Sequence, residues 1–262
     1  MRYGMVINLN KCVGCYGCVI SCKQAHFLPP DMMWGKLLFS ETGTYPNVIK
    51  HVYPVLCNHC KEPACVEACP TNATQQRDDG VVWIDQDKCI GCKYCVDACP
   101  YQMRSFHSDR QEYFPGQGFT EYEKLAEKLY PLKNDVVLKC DFCVDRIDEG
   151  LKKGLKPGVD REATPACVNA CPAKARFFGD LDDPDSEASQ LISEKSAVQL
   201  HPGFGTDPSV YYILSETMPK NQFLSRSSFP ISAKYSLPLF LMTAKQVHQD
   251  IQQEDERQVT QP

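Results

Sequence analysis

Apolar residues come in short runs along this chain, and four of these runs predict β-strands. They are rich in Val, Ile and Tyr, and turn residues such as Asp79-Gly80 lie between them. The four runs are residues 5–11, 47–56, 81–85 and 209–214. Residues 41–46 are expected to form a turn before the second run. The longest apolar stretch, residues 235–242, is far below the roughly 18 residues of a membrane-spanning helix, so no direct membrane span is expected.

Two segments carry the start signals of a helix. Thr120 and Glu123 form a capping box ahead of an amphipathic run of about ten residues. Asp183-Pro184 marks the start of another helix that extends through Leu191 and Ile192. The pattern therefore predicts an α+β fold of short strands, short helices and long loop insertions, and residues 249–262 are expected to be a mobile polar tail.

Cysteine changes the picture most, because it supplies sixteen of the 262 residues. Every cysteine falls into one of four groups, and none is left over. The groups are Cys12, Cys15, Cys18 and Cys22; Cys57, Cys60, Cys65 and Cys69; Cys89, Cys92, Cys95 and Cys99; and Cys140, Cys143, Cys167 and Cys171. The first and third have the spacing CxxCxxCxxxC, the second has CxxCx4CxxxC, and 23 residues interrupt the fourth.

This spacing is typical of ferredoxins with [4Fe–4S] clusters. Three cysteines on a tight loop hold three corners of one cubane, and the fourth ligates the cluster of a partner motif. Glycines inside the loops allow close approach of the backbone, and prolines turn the chain after the fourth cysteine. These residues are Gly14, Gly17, Gly91, Pro70, Pro100 and Pro172. The sequence predicts four [4Fe–4S] clusters on all sixteen cysteines.

Other uses of so many cysteines fit less well. A disulfide framework suits small secreted chains, and no secretory or twin-arginine signal is recognised at residues 1–11. A zinc site has no use for the middle cysteine of CxxCxxC. The formal net charge of −5 offers no basic face for nucleic acid, and no GxGxxG or Walker sequence indicates a nucleotide. With every cysteine committed, no catalytic site is expected.

Internal repeats predict which motifs exchange their fourth cysteine. CVGCYGCVISC matches CIGCKYCVDAC, and PACVEACPTNA matches PACVNACPAKA, as expected from duplication of a two-cluster unit. The second and third motifs lie 19 residues apart, which is the layout of a bacterial ferredoxin. By elimination, the first and fourth motifs pair around them. The predicted ligand sets are Cys57, Cys60, Cys65 and Cys99; Cys89, Cys92, Cys95 and Cys69; Cys12, Cys15, Cys18 and Cys171; and Cys140, Cys143, Cys167 and Cys22.

The same pairing predicts tandem bacterial-ferredoxin-like units. Residues 1–56 and 140–182 would form the outer unit, and residues 57–110 the inner unit. Residues 111–139 would be an insertion, residues 183–224 a C-terminal extension and residues 225–262 a tail.

Two further features have alternative interpretations. His59 lies between Cys57 and Cys60, so it is either a cluster ligand or a polar residue that supports the ligands. The basic residues Lys152, Lys153 and Lys156 form either a solvated loop or a docking contact.

Longer stretches around the motifs resemble one known family. ETGTYPNV, VLCNHCKEPACVEACP, DKCIGCKYCVDACPY, GDLDDP and GTDPSVYYI look like segments of the four-cluster iron–sulfur (beta) subunit of molybdopterin oxidoreductases of the dimethyl sulfoxide reductase family. The resemblance covers about residues 1–215. Members often replace one motif cysteine and then hold a [3Fe–4S] cluster, whereas all positions here are Cys.

The resemblance implies an electron-transfer subunit rather than an enzyme in its own right. Electrons would pass through the clusters between a quinol-linked or soluble donor and a large molybdopterin catalytic subunit holding molybdenum or tungsten. A membrane quinol-oxidising anchor would be a further partner. A free-standing polyferredoxin, or the equivalent subunit of a formate dehydrogenase or hydrogenase, remains an alternative. We expect a periplasmic or outward-facing location, reached by export with a signal-bearing partner, and a cytoplasmic complex is the alternative.

Overall fold

The computed structural model of the chain describes residues 1–215 and residue 217. The chain divides into two units, Met1–Phe229 and Pro230–Pro262, and the description below concerns the first. The predicted tail at residues 225–262, including the mobile segment at 249–262, lies outside the described residues.

Ten short strands form one four-stranded sheet and three two-stranded sheets in the described part of the chain. The strands are β1 (Tyr3–Asn8), β2 (Gly35–Thr44), β3 (Asn47–Leu56), β4 (Thr74–Gln76), β5 (Val82–Ile84), β6 (Ser105–His107), β7 (Val136–Leu138), β8 (Arg176–Asp180), β9 (Val198–Gln199) and β10 (Val210–Ile213). All four predicted strands are present, and three of them are shorter at one or both ends than the sequence predicts.

The four-stranded sheet has the order β8-β1-β10-β9 and lies at the centre of the core. β1 runs antiparallel to β8 and parallel to β10, so that Met5 is opposite both Phe178 and Val210. Met5, Val6 and Ile7 are completely buried, because apolar side chains cover both faces of this strand. The sheet thus joins the segment before the first motif to strands β8 and β10, which are distant in the chain.

The remaining strands form two-stranded antiparallel sheets: β2 with β3, β4 with β5, and β6 with β7. β3 matches the predicted strand at residues 47–56. The predicted turn at residues 41–46 is wrong at its start, because residues 41–44 continue β2 and pair with residues 47–50. Only Tyr45 and Pro46 remain to turn the chain, since the ladder of β2 and β3 continues to its tip.

Seven α-helices and two 3-10 turns complete the described part of the chain. The helices are α1 (Gly17–Ala25), α2 (Ala64–Glu67), α3 (Tyr94–Asp97), α4 (Glu121–Leu129), α5 (Val144–Lys152), α6 (Ala166–Asn169) and α7 (Glu187–Glu194), and the 3-10 turns are Arg161–Ala163 and Pro202–Phe204. No helix among the described residues is long and apolar enough to cross a membrane.

The two predicted helices differ in how well their starts were located. The capping box of α4 is confirmed: the Glu123 N–H donates to Thr120 Oγ1, and the Thr120 N–H donates to Glu123 Oε2 at 2.8 Å. The second helix, α7, begins at Glu187 and not at Asp183-Pro184. Asp183 instead forms a local turn, in which its carboxylate accepts from the Asp185 N–H at 2.9 Å.

Candidate iron–sulfur sites

The four cysteine loops share one unusual backbone feature. The residue immediately before the second cysteine is left-handed in every loop, with φ of 70° at Gly14, 41° at His59, 66° at Gly91 and 59° at Phe142. A left-handed residue reverses the chain between the first two cysteines of each motif. Glycine adopts this conformation readily, whereas a residue with a side chain is strained by about 1–2 kcal/mol. The loops are therefore alike in path, although only two contain glycine at this place.

The third and fourth cysteines are also placed alike in the four motifs. The third cysteine lies in a short helix: Cys18 in α1, Cys65 in α2, Cys95 in α3 and Cys167 in α6. The fourth cysteine lies within the longer α1 in the first motif, and it closely follows the helix in the other three. After the helix, backbone groups of equivalent segments point at sulfur.

Two of these sulfur contacts come from adjacent positions of the repeat. The Thr74 N–H donates to Cys69 Sγ at 3.3 Å, and the Ala175 N–H donates to Cys171 Sγ at 3.2 Å. Burial acts to raise the pKa of Cys69, but hydrogen bonds from Thr74 and Thr71 outweigh it and lower that pKa. Donors aimed at sulfur stabilise the negative charge of a thiolate, which is the form that binds iron.

The structure brings one predicted ligand set around a single cavity. Cys12, Cys15, Cys18 and Cys171 all line it, together with apolar residues and Arg176. Burial raises the pKa of Cys12, and the Cys18 and Cys171 thiols raise it further. The fourth motif thus supplies its last cysteine to the loop of the first motif.

A second predicted set meets where the first helix approaches the fourth motif. Burial raises the pKa of Cys22 well above that of an ordinary thiol. Three neighbouring thiols raise it further, those of Cys140, Cys143 and Cys167. Helices α1 and α6 pack against each other and so hold the two motifs together.

A third predicted set involves the second and third motifs. Burial raises the pKa of Cys60 to about 12, and neighbouring thiols contribute in the same direction. These thiols are those of Cys57, Cys65 and Cys99. The contact joins the last cysteine of the third motif to the loop of the second.

The remaining cysteines are Cys89, Cys92, Cys95 and Cys69. Their motifs are held together by packing of α2 against α3. The Val137 N–H of β7 donates to Cys89 Sγ at 3.4 Å, so strand β7 also supports this loop. The assignment of these four cysteines to one cluster stays a prediction.

The residues around the cysteines fit an iron–sulfur cluster. All sixteen cysteines are free thiols, and two buried arginines approach them: Arg104 donates to Cys65 Sγ at 2.8 Å and Arg176 to Cys167 Sγ at 3.9 Å. The buried side-chain amide of Asn58 has no hydrogen-bond partner among the described residues. Coordinated metal keeps thiolates deprotonated, and their negative charge would then be balanced by the cations and N–H donors present.

Comparisons with known proteins agree with this chemistry. Residues 48–115 match the model of the 4Fe-4S dicluster domain, and residues 9–25 match that of the 4Fe-4S binding domain. The putative iron–sulfur subunit of the dimethyl sulfoxide reductase of Halobacterium salinarum is 41% identical over 86% of this chain and 84% of its own length. The arsenate respiratory reductase iron–sulfur subunit of Shewanella sp. strain ANA-3 is 38% identical over 82% and 97%.

The chain belongs to the iron–sulfur electron-transfer subunits of molybdopterin oxidoreductases. A selenate reductase subunit of Mesobacillus selenatarsenatis is a further relative, 37% identical over 81% of this chain and 72% of its own length. The resemblance stated from the motifs is confirmed, and so is the electron-transfer function that it implies.

His59 has a structural environment that favours a supporting role in this iron–sulfur protein. Its Nδ1 accepts from the Val82 N–H at 3.0 Å, so the neutral ring carries its proton on Nε2 and neither nitrogen offers a free lone pair. Burial, followed by the nearby charges of Lys139 and Arg104, lowers its pKa well below the ordinary value. The ring is therefore neutral, and the alternative of a histidine ligand is disfavoured.

Sequence reasoning missed His26, which lies beside the fourth motif. His26 Nε2 is 3.3 Å from Cys143 Sγ, and Nδ1 is 3.1 Å from the Tyr130 hydroxyl. Together with Asp141 and Cys143 it forms a cluster of potential ligand atoms within 4.8 Å of one another. Burial lowers the pKa of His26, with the Asp141 carboxylate opposing. No sequence signal connects residues 117 positions apart.

The basic segment of the fourth motif is divided between a helix and a loop. Lys152 ends α5, and the two other lysines make exposed ion pairs, Lys153 with Glu162 at 2.9 Å and Lys156 with Asp183 at 3.3 Å. Such exposed pairs contribute about 0–1 kcal/mol to stability.

Proposed function

We propose that this protein holds four [4Fe–4S] clusters on its sixteen cysteines and relays electrons to or from a molybdopterin catalytic subunit. The single observation that supports it best is the convergence of four cysteines from two distant motifs, Cys12, Cys15, Cys18 and Cys171, on one cavity. A zinc or disulfide framework gives no reason for this exchange of the last cysteine. Each bound cluster would accept and release one electron.

The proximity of the sites suggests their order along the relay. Burial raises the pKa of Cys167, and among neighbouring groups the Cys18 thiol adds to it, which links the first and fourth sites. Burial also raises the pKa of Cys140, and among neighbouring groups the Cys57 thiol adds to it, which links the fourth and second sites. Arg104 is close to both Cys65 and Cys95, which links the second and third. Each site is named here for the motif that supplies three of its cysteines. The proposed order of the sites along the relay is first, fourth, second, third.

The protein's own residues would tune this relay. Buried apolar side chains exclude water from the cysteines, and N–H donors to sulfur favour the more negative, reduced form of a cluster. Arg104 and Arg176 place positive charge at the second and fourth motifs, with the same effect. We propose that the tandem ferredoxin-like units at 1–56 with 140–182 and at 57–110 are the two halves of the relay.

The partner is proposed to be a large subunit with a molybdenum or tungsten pterin, with a membrane quinol-oxidising anchor as a further partner. The relatives are named for reductases of dimethyl sulfoxide, selenate and arsenate, so the substrate class is an oxo compound of sulfur, selenium or arsenic. The substrate chemistry would belong to that large partner, because all cysteines here are assigned to clusters. Co-purification tests this: an obligate subunit is isolated with a large molybdoprotein, whereas a polyferredoxin is isolated alone.

Metal and sulfide analysis tests the number of clusters. Anaerobically purified protein should contain about sixteen iron and sixteen acid-labile sulfide, four of each per cubane. Oxidised, undamaged protein should give no strong [3Fe–4S] signal in electron paramagnetic resonance. Stoichiometric zinc, or iron near half of that content, would contradict the proposal.

A single substitution tests the exchange of the fourth cysteine. Cys69→Ser should alter the cluster held by Cys89, Cys92 and Cys95, because the fourth ligand comes from the other motif. Cys99→Ser is the matched control and should alter the cluster on Cys57, Cys60 and Cys65. Site assignment by paramagnetic resonance distinguishes the two. The exchange is wrong if Cys69→Ser changes only the cluster of its own motif.

We propose further that the complex acts in the periplasm or at the outward membrane face. Clusters are inserted before export, and a folded cluster protein cannot be threaded as an unfolded chain, so it would travel bound to a signal-bearing partner. Fractionation with and without the partner's leader tests this. A chain that reaches the periplasm without that leader contradicts the passenger model, and one that stays in the cytoplasm with an intact partner favours a cytoplasmic complex.

A further inference from the structure

Two of the four cysteine loops have a large ring where the others have glycine. His59 in the second motif and Phe142 in the fourth occupy the left-handed position that Gly14 and Gly91 occupy in the first and third. Each ring-bearing residue at this position carries backbone strain that glycine would avoid. At this position, a residue with a side chain therefore occurs only in the second and fourth motifs.

The two rings stack on each other. Their centroids are 3.7 Å apart with planes inclined by 22°, His59 is 0% exposed and Phe142 is 1% exposed. The stack joins the loop of the second motif to that of the fourth, which belong to different ferredoxin-like units. A stacked aromatic pair stabilises the contact beyond the burial of its area.

Polar contacts fix the stack from the side of His59. The Val82 N–H donates to His59 Nδ1, and Ser209 Oγ donates to the His59 carbonyl at 2.7 Å. Lys139 Nζ donates both to the Val82 carbonyl and, at 2.8 Å, to the Cys140 carbonyl. One buried ammonium thus connects the strand that holds the histidine to the first cysteine of the phenylalanine loop.

Phe142 is held from its other side by the central sheet. Its ring makes an edge contact with Phe178 of β8, with centroids 5.3 Å apart and planes inclined by 76°. The phenylalanine therefore lies between a buried strand of the core and the imidazole, and rotation of either ring would open a gap in close-packed surroundings.

We propose that the His59–Phe142 stack is the junction between the cluster sites of the second and fourth motifs, and that it sets their separation and coupling. The inference rests on the proposed function and adds positioning residues to it. In each transfer one electron leaves the reduced cluster at one of these sites and enters the oxidised cluster at the other. Neither ring is oxidised or reduced.

The glycines of the first and third motifs indicate which substitutions to make at His59 and Phe142. His59→Gly and Phe142→Gly remove one ring each and introduce the residue of the first and third motifs, so the left-handed backbone is retained. His59→Asn tolerates the same backbone and keeps an acceptor for Val82, but it has no ring. His59→Phe keeps a ring. Tyr101→Phe is a control at the second site, since it alters a hydroxyl bonded to Thr206 and leaves the stack intact.

The measurements are made on the full chain after anaerobic purification. Iron and sulfide content shows whether the clusters are retained. Paramagnetic resonance of the reduced protein reports the magnetic interaction between neighbouring clusters, and rapid photoreduction reports the rate at which electrons redistribute. We expect the ring-free variants to keep their iron, to show a changed interaction and to redistribute electrons more slowly. His59→Phe and Tyr101→Phe should behave like the wild type.

Each of the other possible results supports or overturns the proposed junction. Ring-free variants with full iron, unchanged interaction and unchanged rate overturn the junction. If they lose iron, alkylation of Cys60 and Cys143 followed by mass spectrometry locates the loss. Loss at both sites from either substitution supports a shared junction, whereas loss confined to the altered loop overturns it. Wild-type protein with zinc, or with half the expected iron, instead contradicts the proposed function, so the two failures are distinguishable.

Discussion

The loops of the first and third motifs differ from those of the second and fourth in their exposure to solvent. Their second cysteines, Cys15 and Cys92, are exposed, whereas Cys143 is buried and Cys60 half-buried. In the first and third motifs the residue after the first cysteine is also exposed, 72% at Val13 and 66% at Ile90. The corresponding Asn58 of the second motif is only 2% exposed.

This difference in exposure agrees with different tasks for the two pairs of motifs in the proposed relay. In the proposed order the first and third sites are the ends of the relay, and the second and fourth lie between them. End sites have to come close to a partner, so an exposed, apolar loop suits them. Internal sites gain from burial, which excludes oxidants and keeps neighbouring clusters at a fixed distance.

The largest expected effect comes from removing one second cysteine from each class of loop. Cys92→Ser should cost about one cubane, or four iron, and leave the unfolding temperature nearly unchanged. Cys143→Ser should cost more than four iron and lower the unfolding temperature, because it leaves charged ligands unpaired inside the core. Iron analysis and thermal unfolding measure both. Equal losses in the two variants would show that the exposed and buried loops do not differ in this respect.

The difference in exposure also predicts the order in which the clusters are lost. During slow treatment with a chelator, Cys15 and Cys92 should be alkylated well before Cys60 and Cys143, because the exposed loops open without unfolding of the core. Mass spectrometry of timed samples measures this. Simultaneous labelling of all four cysteines would mean that the clusters are released in one cooperative step.

A smaller effect is expected from the buried arginines. Arg104→Gln should lower the reduction potential of the second-site cluster, because it removes a positive charge that stabilises the reduced form. The expected shift is on the order of 60 mV, which is a tenfold change in equilibrium for a one-electron couple. A redox titration followed by paramagnetic resonance measures it. Arg104→Lys keeps the charge and should shift the potential less; an equal shift would show that charge is not the cause.

The smallest effect concerns the exposed apolar residues of the end loops. Val13→Ser and Ile90→Ser should change the free energy of unfolding by no more than about 0.5 kcal/mol, because these side chains bury little area. Both should weaken electron exchange with a partner, which steady-state turnover of the assembled complex measures. Asn58 is the buried residue at the same position of the second motif. Asn58→Ser should therefore affect the cluster of that motif before it affects electron exchange with the partner. Unchanged turnover with Val13→Ser would remove the first loop from the docking surface.

Local structure was predicted well where neighbouring residues determine it. The capping box of α4 depends on two residues three positions apart, and β3 depends on a continuous apolar run, so both could be found without tertiary information. The start of α7 was misplaced because Asp183-Pro184 is equally suited to a local turn. In that turn the Asp185 N–H donates to the Asp183 carboxylate. The turn at 41–46 was wrong because pairing with β3 extends β2 beyond what its own residues favour.

The cofactor chemistry and the family could be read from the amino-acid sequence, because cysteine spacing and the residues around it are local properties of the chain. The side chains that surround those cysteines became known only from the folded structure. Parallel pairing of β1 with β10, the approach of His26 to Cys143 and the stacking of His59 on Phe142 all join residues more than 80 positions apart. Such contacts depend on how separate elements share one core, and a linear pattern of residues does not encode that packing explicitly.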